Sequence, residues 1–396
     1  MKHPNILFAY ITPFHPEKGG IGRVTHTLTL ELQRRGYKVF YLIYPCGITV
    51  RHEYAYPAPL EYLPSSDLLS SENIIYYQDY LKRNQIDIVI NQSGNFSDSR
   101  LWLKAKDWNI KVISVLHSSP WVAYSHLWQE IYPLKNDSYI EKLKRIARII
   151  LYPLIKNRLK NGRIEHFKQL FPKTDYVCTL SEKFFYELNE IYPGFERKYR
   201  AIANPNSYNV QNVSLNSEKK NQLLWVGLFS EEKNPLFAIK IWKKIYQDYP
   251  EWEFVIVGYN KNGYWLERMK SLSKGIPNIR FEGFQNPLPY QLESSIFCLT
   301  SSYEGWPMVL TEAMQCGTVP IAFNSFASVT DIIDNGRNGI LIEPFSIKEY
   351  EKELRRLMDN PALIKQMSEY AQQDIEKYSV KNIVDKWEKL FRECTK

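Results

Sequence analysis

Residues 296–323 read IFCLTSSYEGWPMVLTEAMQCGTVPIAF, and this segment alone sets the architecture. Its first five residues are apolar or β-branched and end in a Ser-Ser-Tyr-Glu-Gly loop, which predicts a buried strand over 296–300. Pro307 suits the first position of a helix and Gly317 its stop, so a helix is predicted over 307–316. A second apolar run follows at 319–323. Strand, helix and strand in so short a span make a βαβ unit, and such units build parallel sheets.

The same alternation extends in both directions. Upstream, 6–11, 39–44, 86–91, 112–116 and 176–180 are short, apolar and rich in β-branched residues. Between the first two lies a helical pattern over 22–35, with Val24, Leu28 and Leu32 on one face and Gly36 as stop. Nearer the segment, 223–227, 254–257, 279–282 and 340–342 read as further strands. Residues 204–221 hold six Asn and three Ser with hardly any apolar periodicity, the composition of a linker. The predicted organisation is an N-terminal Rossmann-like domain over 1–205, a second over 206–378, and a terminal helix over 379–396. Open α/β domains bind ligands beyond the carboxyl ends of their strands, and two facing domains would make a cleft between those ends.

Composition narrows the classes further. The chain has 396 residues, 44% hydrophobic, 24% charged and 14% aromatic, which excludes disorder and low-complexity classes. Five scattered cysteines, none in a C-x-x-C pair, suggest neither a disulfide framework nor a cysteine zinc site, and point to a reducing cytoplasm. No apolar run approaches the ~18–20 residues of a membrane span, and 6–11 is too short for a secretory signal. Of the net charge of +8, most sits in 141–168, where nine Lys/Arg face two Glu. Interleaved Ile and Leu make this a basic amphipathic stretch that suits an anionic membrane surface, or a solvated helix face packed on the sheet. Nucleic-acid-binding signatures are absent.

Two motifs follow predicted strands. In Lys18-Gly19-Gly20-Ile21-Gly22-Arg23 the glycines let backbone approach a phosphate at a helix N-terminus. As a dinucleotide fingerprint it fails, because Thr25 stands where the third glycine belongs and no acid closes the next strand. In the second motif Glu304 falls in the loop and Glu312 inside the helix. That spacing can set one carboxylate on a sugar and another on ribose hydroxyls, with the Met308 and Val309 amides facing phosphate between them. Either acid alone also reads as a solvated surface group.

Together these features resemble the Glu-x7-Glu signature of retaining GT-B glycosyltransferases of family 4. The resemblance runs from about residue 6 to 343. It takes in Gly19-Gly20, His117, Ser181, Val226-Gly227, Glu232-Lys233-Asn234-Pro235, Gly258, Phe281-Glu282-Gly283, Glu304 to Glu312 and Asp331 to Gly339. It implies a GT-B fold whose two Rossmann-like domains face across a cleft, with the last helix crossing back to the N-terminal domain. The C-terminal domain would hold a nucleotide-sugar, UDP by default, and the N-terminal domain a saccharide or lipid-linked acceptor in surface glycan synthesis.

By the same resemblance His117, Lys233 and Glu304 are the catalytic candidates. Gly19, Gly20, Gly227, Lys233, Phe281, Glu304, Gly305, Met308, Val309 and Glu312 bind the donor, and neither a metal nor a resident cofactor is called for. One departure stands out: the family's Val-Gly-Arg-Leu is here Val226-Gly227-Leu228-Phe229, without the diphosphate-binding arginine. A GT-B epimerase, a two-domain sugar-binding protein and a nicotinamide-dependent oxidoreductase are the alternatives from other classes. Ser181 also reads as a cap for a helix starting at Glu182, His117 as a hydrogen-bonded loop residue, and Lys233 as a solvated helix-start lysine.

Overall fold

Strands β1 (Ile6–Tyr10), β2 (Val39–Ile43), β3 (Leu60–Tyr62), β4 (Ile88–Asn91), β5 (Lys111–Leu116), β6 (Tyr176–Thr179) and β7 (Tyr199–Ala201) form a parallel sheet in the order β3-β2-β1-β4-β5-β6-β7. A second parallel sheet has the order β10-β9-β8-β11-β12-β13. Its strands are β8 (Lys220–Leu228), β9 (Glu253–Tyr259), β10 (Ile279–Gly283), β11 (Ser294–Leu299), β12 (Val319–Phe323) and β13 (Ile340–Ile342). This computed structural model describes residues 3–17, 19–44, 54–122, 139–208, 219–259 and 263–395. The chain divides into unit 1, Met1–Pro205 with Val380–Lys396, and unit 2, Asn206–Ser379.

Both sheets are of the doubly wound kind, which explains why their central strands read as unbroken apolar runs: helices cover both faces, so both sets of side chains are buried. Ile6, Leu7, Phe8 and Ala9 of β1 are wholly buried, as are Phe254, Val255 and Ile256 of β9. In each sheet the winding direction reverses once, between β1 and β4 in unit 1 and between β8 and β11 in unit 2. Two neighbouring strand ends there send their loops apart, leaving a crevice where open α/β sheets take ligands.

Several expectations are corrected in detail. β3 and β7 have three residues each and no apolar alternation. They exist through pairing with β2 and β6 rather than through a pattern of their own. β8 starts at Lys220, inside the stretch read as linker, because its backbone pairs with Ser294 of β11 and Glu253 of β9. Residues 209–218 of that stretch lie outside the described residues, as do Lys18 and Cys46. The first helix is Gly20–Arg34, so Gly20 is helical rather than part of the loop, and Gly19 caps it at φ 110°. Pro307 precedes the helix Met308–Gln315 instead of opening it. Ser181 takes the Lys183 amide (3.1 Å) in a turn while the helix begins at Phe184, so it does not cap that helix.

The helix Val380–Thr395 belongs to unit 1 and packs on Gly20–Arg34. It buries Ile383, Val384, Trp387, Leu390 and Phe391, each large side chain contributing about 1.5–3 kcal/mol. Its polar face is tied by Arg35 Nη1 to Asp385 (2.5 Å) and Glu388 (2.9 Å), and by Arg200 to Glu393 (2.6 Å).

Candidate functional site

In unit 2 the reversal point brings together the loop after β8 and the loop after β11. Lys233 Nζ lies 2.6 Å from Glu304 Oε1 and 2.9 Å from Glu232 Oε1. The Ser301 hydroxyl donates to the same Glu304 oxygen at 2.8 Å. Backbone bonds fix the two loops to each other: Ser302 N–H donates to Glu232 O at 2.7 Å. The Thr300 hydroxyl takes the Trp225 indole N–H at 3.0 Å and lies 3.0 Å from the Lys233 and Asn234 carbonyl oxygens. Burial works against the ammonium charge of Lys233, but the Glu304 and Glu232 carboxylates outweigh it and hold the group above the usual lysine range. This is a cation kept charged and in place, not a solvated helix-start lysine.

The helix Met308–Gln315 starts beside this cluster. Its first backbone bond runs from Leu310 N–H to Pro307 O at 2.9 Å, so the Met308 and Val309 amides lie ahead of the intrahelical ladder, where an anion is favoured. Gly305 sits in the loop between the cluster and this helix. Glu312 is fully buried, in the second turn, and the structure does not bring it into the Lys233–Glu304 cluster. Phe281, on edge strand β10, packs partly buried against the hydrophobic core of unit 2.

Gly227 pairs with Gly258 where β8 and β9 end. Leu228, the next residue, is 49% exposed while Phe229 is buried. Leu228→Arg should therefore be tolerated, changing stability by no more than about 0.5 kcal/mol. An unfolding free energy from urea titration that drops by several kcal/mol would place that side chain in the core instead.

In unit 1 the loops after β1, β4 and β5 meet at the other reversal point. His117, directly after β5, has its Nε2 2.6 Å from Gln92 Oε1. Gln92 follows β4 and is buried; its Nε2 donates to Thr25 Oγ1 at 2.9 Å, on the helix Gly20–Arg34. Burial lowers the His117 imidazole to about 4, so the ring is neutral. Gly22 rather than Gly19 is the glycine that packing requires in the first motif, since a Cβ at Gly22 would lie 2.5 Å from His15 O and one at Gly19 meets nothing within 4 Å.

The sequence reading missed Gln92 and Thr25, whose only signal is their place at a strand end and where a third glycine would stand. It also missed Arg163. This residue counts toward the basic excess of 141–168, yet it turns inward and donates to Pro120 O (2.9 Å) and Asn95 O (2.6 Å), pinning the loops after β5 and β4. Burial brings it down to about 10. Elsewhere in the segment, within the helices Tyr139–Ile150 and Tyr152–Leu170 and at the residue between them, several side chains are exposed. Lys144, Arg148, Arg158, Lys160 and Lys168 are exposed, alongside Leu143, Ile146, Leu151, Ile150 (74%) and Leu154 (69%).

Among the described residues no group of three or more His, Cys, Asp or Glu could hold a metal ion, and no helix is long and apolar enough to cross a membrane. A groove of about 450 Å³ in unit 2, between Asp331 and Lys377, is lined by groups already paired, such as Asn338 with Asp374 (2.9 Å) and with the Asp334 amide (2.8 Å).

Two family models cover nearly all of both units: Glycosyltransferase Family 4 matches residues 18–205, and Glycosyl transferases group 1 matches 208–374. An uncharacterized glycosyltransferase of Haemophilus influenzae is 34% identical over 195 residues, 48% of this chain and 54% of that protein. A Campylobacter jejuni α-1,4-N-acetyl-D-galactosaminyltransferase, named for a saccharide on PP-undecaprenol, is 26% identical over 264 residues, 65% of this chain and 66% of its own. This chain thus spans roughly half to two thirds of these two relatives. Anabaena HepE, solved in complex with UDP, shares the fold with a TM-score of 0.72 at 13% identity, over 98% of this chain and 100% of that one.

Proposed function

The chain belongs to the GT-B glycosyltransferases of the family 4 type, and from that membership we propose that it moves a hexosyl residue from a nucleoside-diphosphate sugar, UDP-linked by default, to a saccharide or lipid-linked saccharide acceptor in bacterial surface glycan synthesis. The observation that carries the reading is the meeting of Lys233 and Glu304 at the reversal point of unit 2, beside the N-terminus of the helix Met308–Gln315. A cation and open amides suit a diphosphate, and a carboxylate beside them suits sugar hydroxyls.

In this reading the anomeric configuration is retained. The acceptor hydroxyl attacks the anomeric carbon on the face from which the diphosphate departs. The bond from that carbon to the phosphate oxygen breaks, the bond to the acceptor oxygen forms, and the acceptor proton passes to the departing phosphate. Stabilising the leaving group is then the main catalytic contribution, supplied by Lys233 and the Met308 and Val309 amides. Gly227, Gly305 and Phe281 complete the donor side. Unit 1 contributes Gly19, Gly20 and His117, and no resident cofactor takes part.

Glu312 is assigned to the ribose hydroxyls. A charge-assisted hydrogen bond contributes about 1.5–3 kcal/mol, so Glu312→Ala should weaken nucleotide binding roughly 10- to 100-fold. Calorimetry with UDP on the folded variant checks this, and unchanged affinity removes Glu312 from the site.

The acceptor side also favours attachment to the inner face of the cell membrane, because Arg148 and Arg158 are exposed in the same segment as the exposed Ile150 and Leu154. Each basic residue near an anionic surface contributes about 1 kcal/mol, screened over ~8 Å at physiological salt. Binding to phosphatidylglycerol vesicles should exceed binding to phosphatidylcholine vesicles and fall as salt rises. Equal binding to both, or to neither, rejects the attachment.

A further inference from the structure

On the reading of unit 2 as the nucleoside-diphosphate side, the Met308 and Val309 amides must stand still at the front of an eight-residue helix. Two side chains from outside that helix hold it, one at each end. At the front, Gln291 Nε2 donates to Val309 O at 3.2 Å and grips the peptide next to the Val309 amide. Gln291 lies in the helix Leu288–Glu293 and is fully buried. Among the described residues its Oε1 has no partner, a desolvation cost that an apolar side chain would avoid.

At the back, Lys219, just ahead of β8, sets its Nζ 2.7 Å from Cys316 O, 3.0 Å from Gln291 O and 3.2 Å from Thr318 Oγ1. An ammonium has three protons, and each finds one of these oxygens. The helix does not need this cation in order to end. Gly317 N–H donates to Met314 O at 3.0 Å and Thr318 N–H to Ala313 O at 2.9 Å, the Schellman pair that closes a glycine-terminated helix. What Lys219 adds is a tie from the last turn to the Gln291 backbone, and the Gln291 side chain holds the first turn.

We propose that Lys219 and Gln291 brace the helix Met308–Gln315 from both ends and are positioning residues for the donor, fixing where the Met308 and Val309 amides meet the diphosphate. The brace depends on charge. Burial brings the Lys219 ammonium down to about 8, and the neutral amine keeps two protons and turns a lone pair toward the third oxygen. Donor affinity should therefore fall as the pH rises through about 8. The Cys316 thiol, pushed up to about 12 by burial, stays neutral through that range. Lys233, held above the usual lysine range by Glu304 and Glu232 against burial, stays charged. Glu312 near the thiol and the Lys220–Glu293 pair (2.5 Å) are further titratable neighbours.

The test uses the full chain. Calorimetry with UDP, GDP, ADP and dTDP first identifies the nucleoside diphosphate that the wild type binds, and its affinity is then followed from pH about 6.5 to about 9. The wild type should lose about 10-fold over that range, the scale of one hydrogen bond to a charged group. Lys219→Met should bind about 10-fold more weakly at neutral pH, with no alkaline fall. Lys219→Arg, charged throughout, should bind within about 3-fold of the wild type at neutral pH and also lose the alkaline fall. Gln291→Leu should weaken binding about 3- to 10-fold with the alkaline fall intact, and with Lys219→Arg it carries the test if Lys219→Met does not fold.

A purely structural role would lower the melting temperature of these variants and leave the affinity of the folded protein and its pH profile unchanged. That outcome overturns the proposal, as does an alkaline fall that persists in Lys219→Arg. Binding of none of the four nucleotides by the wild type overturns the donor reading itself, and the brace loses its role with it.

Discussion

Lys233→Ala should lower turnover by about 100-fold or more, the size of effect seen when one preorganised electrostatic donor is removed from a developing charge. Two features of the site argue for the upper part of that range. The arginine that commonly assists at the diphosphate is replaced by Leu228, so less of the departing charge can be taken up elsewhere. The Lys233 ammonium is also already oriented, 2.6 Å from Glu304 and 2.9 Å from Glu232, and needs little reorganisation to act. The substitution should weaken the fold as well, since breaking a buried ion pair costs about 3–5 kcal/mol. The Ser301 hydroxyl stays on Glu304 and puts the loss near the lower figure. Steady-state kinetics at a temperature where circular dichroism shows the variant folded separates the two effects. Near-normal turnover there would withdraw Lys233 from the diphosphate site.

Gly258→Ala is expected to be the most damaging single methyl in unit 2. An added Cβ would stand 1.9 Å from Gly227 O and 2.9 Å from the Phe229 ring, on a backbone at φ +155°. Neither a strand carbonyl nor a buried ring can move away cheaply. Overpacking at about 1–3 kcal/mol and backbone strain of similar size together predict a loss of roughly 3–5 kcal/mol. Gly283→Ala is the internal comparison: its φ is +74° with nothing within 4 Å of the added atom, so only the left-handed backbone penalty of about 1–2 kcal/mol applies. Chemical denaturation of both variants checks the contrast, and equal losses would show that the close approach of β8 and β9 is not what fixes the glycine.

The two domains and the Glu304–Glu312 spacing were legible because each rests on local pattern: apolar runs buried on both faces, a proline before a helix and a glycine after it. What brings Lys233 to Glu304 is not local. It depends on β8 lying next to β11, and strand order within a sheet is set by packing of the whole unit rather than by any window of residues. The same holds for His117 and Gln92, joined because β4 and β5 are neighbours. Arg163 was misread for a related reason. Charge counted along a helix does not say which base points inward, and only the carbonyls of Pro120 and Asn95, far away in sequence, explain its direction. Leu228 is simpler, since the last residue of a strand is placed to emerge from the sheet, and it does.

Unit 1 is assembled from two separated stretches, with the whole of Asn206–Ser379 between them. On the ribosome, the first stretch is therefore made before the helix that covers it. At about 5–20 residues per second, roughly ten to forty seconds pass before Val380–Thr395 is translated. Through that interval the side of Gly20–Arg34 destined for Trp387 and Phe391 has no cover, and at its end unit 2 has every residue of its own core before that helix is made. The second half of the polypeptide can thus reach its native form before the first, an inversion of the usual N-to-C order. The interval of greatest exposure to chaperones and proteases falls on the nascent unit 1.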